Sequence, residues 1–92
     1  MINDLPKKSE ILKTLGNPVR LRLVVGLVEN KDCNVNKMAE NLGIPQSTVS
    51  QHLSVLRHKG IIVPTKRGVE TCYEVVDKMV LDLLQHLENS QG

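Results

Sequence analysis

Two kinds of side chain here could do chemistry on a partner. The first is a run of short, neutral hydrogen-bonding groups: Gln46, Ser47, Thr48, Ser50 and Gln51 crowd the first half of segment 45–58. An amide can pair bidentately with the edge of an adenine, and Ser or Thr hydroxyls serve base edges or phosphate oxygens. A plain surface helix would carry Glu and Lys at such positions. The second is a set of cations. Residues 41–69 contain no Asp or Glu, yet they hold His52, Arg57, His58, Lys59, Lys66 and Arg67. All ten acids lie outside this stretch, so the formal net charge of +2 conceals a one-signed segment. Such a surface attracts phosphate through local Coulomb terms and counterion release. Charge alone is equally consistent with a solvated basic face.

No catalytic constellation accompanies these groups. The chain lacks a nucleophile–base pair and a phosphate-cradling glycine loop, and an enzyme is not expected. His52 and His58 have no carboxylate partner in their own segment, and His86 stands alone on a polar flank. A closed metal site needs three or four convergent ligands, which the sequence does not assemble, so neither metal nor cofactor is expected. Cys33 and Cys72 are too few for a disulfide scaffold and lack C-x-x-C spacing. With no signal peptide and no long apolar run, a cytoplasmic home and no membrane partner are expected. Phe and Trp are absent and Tyr73 is the only aromatic residue. That argues against single-strand nucleic-acid platforms, which stack bases on aromatic rings.

The elements that must position these groups follow from caps and periodicity. Residues 7–15 read as a first helix, with Pro6 at its start and Gly16 at its end. Asn17-Pro18 opens a second, running to about residue 29, whose apolar set covers most of its circumference. Gly26 within it costs about 1 kcal/mol of propensity relative to Ala, for which a close helix crossing is one reason. Residues 33–35 form a candidate short strand. Asn36 can cap a third helix over 37–42, Gly43 stops it, and a fourth runs from Pro45 to His58 with Gly60 beyond. Helix, glycine turn and helix over 36–59 have the spacing of a helix-turn-helix. Val49, Leu53 and Leu56 recur at i, i+4 and i+7 and should anchor the fourth helix on the domain. Residues 61–63 and 69–76 then read as two strands joined by the basic turn 64–68. Asp77 is best read as the cap of a last helix reaching about residue 89. The fold class is therefore mainly α with a small β-hairpin: a single winged helix-turn-helix domain over 1–92, of five helices and a two- to three-stranded wing.

Three blocks carry a family resemblance: Leu12-Lys13-x-Leu15-Gly16-Asn17-Pro18-x-Arg20-Leu21, then Gln46 to Leu53 with Leu56, then Gly68 with Tyr73. In that order they resemble the ArsR-type (arsenic-repressor-like) winged-helix regulators over nearly the whole chain. The resemblance implies a cytoplasmic homodimer that represses transcription by occupying an imperfect palindrome in double-stranded DNA, with first and last helices as the dimer interface. Ile11, Leu12 and Leu15, with Met79, Val80, Leu83, Leu84 and Leu87, supply the apolar stripes for that interface. The alternative is that the stripes pack only on their own chain. Gln46, Ser47, Thr48, Ser50 and Gln51 become the base-reading set, and Lys66 and Arg67 the flanking contacts at the wing. Arg57 and Lys59 suit either phosphate contact or the C-terminal dipole of their own helix. A winged helix that docks a protein partner is the rival reading, against which the acid-free stretch speaks.

The signal is a separate question, and no inducer is identified. The family's thiolate site would need ligands where Asn34, Asn36 and Lys37 stand, and its dimer-interface site would need His where Met79 stands. The family's redox pair would fall at Val25 and in a cysteine-free tail. Cys33 and Cys72 are the remaining candidates for a thiol-based switch. Strand alternation argues against a bond: Cys33 should face inward with Val35, while Cys72 alternates away from Tyr73 and Val75.

Overall fold

The computed structural model describes residues 1–31 and 33–90. Five helices and one hairpin follow in the order α1 (Leu5–Leu15), α2 (Pro18–Glu29), α3 (Val35–Leu42), α4 (Gln46–His58), β1 (Ile62–Arg67), β2 (Glu70–Val75) and α5 (Lys78–Asn89). This is the mainly helical, winged helix-turn-helix architecture that the pattern predicts, with a wing of two antiparallel strands.

The starts of α2, α3 and α5 are set by short polar side chains. Asn17 Oδ1 accepts from the backbone N–H groups of Val19 and Arg20, at 2.9 and 3.1 Å, ahead of Pro18. Asp77 accepts from Val80 N at 3.0 Å and caps α5, as expected. The third helix starts earlier than the sequence suggests. Asn34, not Asn36, is its cap, accepting from Lys37 N at 3.2 Å, and Val35 is already helical.

The two helices of the motif end in the same way. Gly43 (φ 67°) and Gly60 (φ 74°) take the left-handed conformation that a Cβ disfavours. After each, the chain folds back: Ile44 N donates to Ala39 O at 3.2 Å and Ile61 N to Leu56 O at 3.0 Å. These Schellman closures satisfy terminal carbonyls and set the directions into the turn and into the wing.

The core is aliphatic, as a chain without Phe or Trp requires. Val24, Val49, Leu56, Ile61, Ile62 and Val80 are fully buried. Together they join α2, α4, the root of β1 and α5 in one cluster. Gly26 departs from expectation: a Cβ there would meet nothing within 4 Å. It faces an open groove between α2 and α3 rather than a close crossing.

Candidate nucleic-acid interface

α4 presents two opposite faces. Val49, Leu53 and Leu56 lie at 2% exposure or less, so the helix is pinned along one edge. Gln46, Ser47, Ser50 and Gln51 are exposed, and Thr48 is half-buried on the flank turned toward the rest of the domain. Ser47, Gln51, Ser54 and His58 fall at i, i+4, i+7 and i+11, the line farthest from the buried edge. Ser54 was missed in the sequence, although its spacing from Ser47 and Gln51 was the signal for it. No side chain caps the N-terminus of α4 among the described residues. Thr48 N and Val49 N donate to the Pro45 carbonyl at 3.1 and 3.2 Å, so the positive end of the helix that favours an anion is at the N–H groups of the exposed Gln46 and Ser47.

The flank of α4 is held by a residue that sequence reasoning overlooked. Arg20 Nε donates to Thr14 O at 2.8 Å, and Nη1 lies 3.4 Å from His52 Nδ1. One guanidinium thus links the last turn of α1 to the middle of α4. Neutral imidazole accepts at Nδ1 only if the hydrogen sits on Nε2, which fixes the His52 tautomer in this contact.

The cations behave differently from one another. Arg57 is exposed, while His58 Nδ1 lies 3.0 Å from the Ser54 carbonyl oxygen of its own helix. Lys59 Nζ pairs with Glu10 of α1 at 3.2 Å, both side chains being largely exposed. An acid from outside the acid-free stretch thus folds back onto one of its cations. Lys66 and Arg67 are exposed, and they sit not in a loop but on the last two pairs of the wing, Lys66 opposite Thr71 and Arg67 opposite Glu70. The turn shrinks to Gly68 and Val69. Between α4 and the wing runs an open groove of about 500 Å³, lined by Ser50, Leu53, Ser54, Arg57, His58 and Tyr73.

Of the apolar stripes, Ile11, Leu15, Val80 and Leu84 are buried within the chain itself. Met79 and Leu83 are half-buried, whereas Leu12 and Leu87 are 51% and 49% exposed. An open cleft of about 530 Å³ separates α2 from α5 and is lined by Val25, Val28, Leu81, Leu84 and Leu87.

The cysteines overturn the parity argument. Cys33 and Cys72 are joined in a disulfide, with Cα atoms 4.2 Å apart. Cys72 does alternate away from Tyr73 and Val75, but the strand assumed for Cys33 is absent. Val35 opens α3 instead, so its inward orientation imposes nothing on Cys33. The segment before α3 is free to turn Cys33 onto the other face of β2. The sulfurs also lie within 4.8 Å of a Glu70 carboxylate oxygen, the one metal-capable group among the described residues. Bonded to each other, they offer no thiolate to an ion.

Comparison with known proteins agrees with this geometry. Residues 17–63 match the family model described as "Bacterial regulatory protein, arsR family". An HTH-type transcriptional regulator of Methanocaldococcus jannaschii is 37% identical over 79 residues, covering 86% of this chain and 89% of that protein. The transcriptional repressor PagR of Bacillus anthracis is 36% identical over 88 residues, 96% of this chain and 88% of PagR. Its crystal structure superposes with a TM-score of 0.79 over 90% of this chain and 94% of that one. HlyU from Vibrio cholerae, at 27% identity, gives a TM-score of 0.83 over 97% and 96% of the two chains. Fold, motif and sequence agree: this chain belongs to the arsR family of bacterial regulatory proteins.

Proposed function

We propose that the chain is a homodimeric, sequence-specific repressor that acts on double-stranded DNA in the cytoplasm and has no catalytic role. The observation that carries this reading is the exposed amide and hydroxyl face of α4, held outward by the buried edge of Val49, Leu53 and Leu56. A helix so mounted enters a major groove with its N-terminal residues against base edges. Gln46, Ser47, Ser50 and Gln51 do the reading, Thr48 supports them from the flank, and Arg57, Lys66 and Arg67 hold phosphates. Lys59 joins them when it leaves Glu10.

Two copies place two such helices on an imperfect palindrome. The exposed Leu12 and Leu87, the half-buried Met79 and Leu83, and the α2–α5 cleft are the apolar surface that a second copy would cover. Ile11, Leu15, Val80 and Leu84 back that surface from the chain's own core. The repressor names of PagR and of its relatives support the direction of control.

Selection of genomic fragments on the purified chain, followed by gel shift over a salt series, tests the proposal. Enrichment of one palindromic sequence is expected, bound roughly 10³-fold or more above random duplex. Equal binding to all duplexes, or to none, would remove sequence-specific control from the reading.

A further inference from the structure

We infer that the Cys33–Cys72 bond is a reversible thiol–disulfide switch that sets how firmly the wing holds DNA, opened and closed by exchange with a low-molecular-weight disulfide or thiol. This rests on the DNA-binding reading above and adds its regulation.

Placement carries the inference. The bond spans 39 positions and encloses α3, α4, β1 and the wing turn. Every candidate DNA contact, from Gln46 to Arg67, lies inside the ring it closes. Cys72 pairs across the wing with Thr65, and the next two pairs outward carry Lys66 and Arg67. The crosslink therefore clamps the wing one pair inward of its cations and ties it to the residue before the Asn34 cap of α3. A two-stranded hairpin is marginal without such support. With the bond closed, the two cations are pre-organised against the backbone they meet; with it open, binding must order them.

Access to the bond is asymmetric. Cys33 is half-buried, whereas Cys72 is 3% exposed. An open cleft of about 310 Å³ runs over the pair and gives a small reagent access to the sulfurs; Lys31, Arg67 and Glu74 border it and a Glu70 carboxylate oxygen lies within 4.8 Å of the sulfurs, so its charge is mixed. Closure starts at Cys33: its thiolate attacks one sulfur of a disulfide R–S–S–R and expels RS⁻, leaving a mixed disulfide on Cys33. The Cys72 thiolate then attacks Cys33 Sγ and expels the second RS⁻. The two protons given up by the cysteines pass to the two leaving thiolates, and two electrons pass to the reagent, which ends as two R–SH. Opening is the reverse. A lone cystine in a protein that works on cytoplasmic DNA faces a reducing medium, where such bonds are characteristically transient or sensing.

The test uses the full chain equilibrated in buffers of varied reduced-to-oxidised glutathione ratio. Rapid alkylation and mass spectrometry report the bond, and anisotropy on a labelled mixed-sequence duplex reports affinity. The bond is expected to titrate within the series. The oxidised chain should bind roughly three- to tenfold tighter than the reduced chain, with a steeper salt dependence. Cys33→Ser should match the reduced chain at every ratio; because reduced wild type needs no substitution, a folding defect in the variant cannot mask the result. A bond that survives the most reducing buffer, or never re-forms, overturns the switch. Equal affinity in both states overturns the switch alone, whereas no binding by any form removes the DNA reading with it.

Discussion

Arg20 of α2 and His52 of α4 meet across the domain, guanidinium Nη1 to imidazole Nδ1 at 3.4 Å, while Arg20 Nε holds the Thr14 carbonyl at 2.8 Å. The pair fixes how α4 rolls on the body beneath it. Arg20→Ala leaves the Thr14 carbonyl without this donor in a part-buried site, and should lower stability by about 1–3 kcal/mol in urea unfolding. Arg20→Lys should recover little, because an ammonium cannot serve both acceptors in one plane. Full recovery by Lys would mean that only the charge matters.

Base reading and phosphate holding should separate in mutants. Gln51→Ala is expected to cost about 1–3 kcal/mol at the preferred site and to relax specificity there. Replacing Lys66 and Arg67 together removes two cations from each copy of the dimer, and should weaken all duplexes alike and reduce the salt slope by about 4. Affinities for specific and random duplexes across a salt series distinguish the two, and identical profiles would contradict the division.

The dimer surface makes a third prediction. Leu12→Glu with Leu87→Glu places charge on two side chains that are about half exposed in the single chain. The folded chain should survive with a stability change within about 1 kcal/mol. Sedimentation should then report monomer, and palindrome affinity should fall. A dimer that persists unchanged would move the interface elsewhere.

Gly26 offers a gain. Its site is helical and a Cβ would contact nothing within 4 Å. Gly26→Ala should therefore stabilise the chain by about 0.5–1 kcal/mol, read as a raised melting temperature. Destabilisation would show that the α2–α3 groove is less open than it stands here.

Much of this was legible in advance because helix signals are local. The i, i+4, i+7 set of Val49, Leu53 and Leu56 located both faces of α4, and Asn17 and Asp77 marked two helix starts. On sequence grounds the cap of α3 falls at Asn36 and a short strand over 33–35, whereas Asn34 is the cap and Val35 is already helical. That error carried directly into the cysteines, since only a strand would have imposed alternation on Cys33. The Arg20–His52 and Glu10–Lys59 contacts join residues 32 and 49 positions apart, and no periodicity records such meetings. The wing cations moved from loop to strand for a similar reason: cross-strand pairing extends β1 through Pro64 to Arg67, which composition alone assigns to a turn.

α4 is held in two ways, along its buried edge by Val49, Leu53 and Leu56 and near its middle by the Thr14–Arg20–His52 link to α1. Two such restraints on a rod leave it little freedom to pivot. If a second copy docks against α1, the gap between the paired rods becomes a built-in ruler, and operators whose halves are out of step with it would be rejected before a single base is inspected.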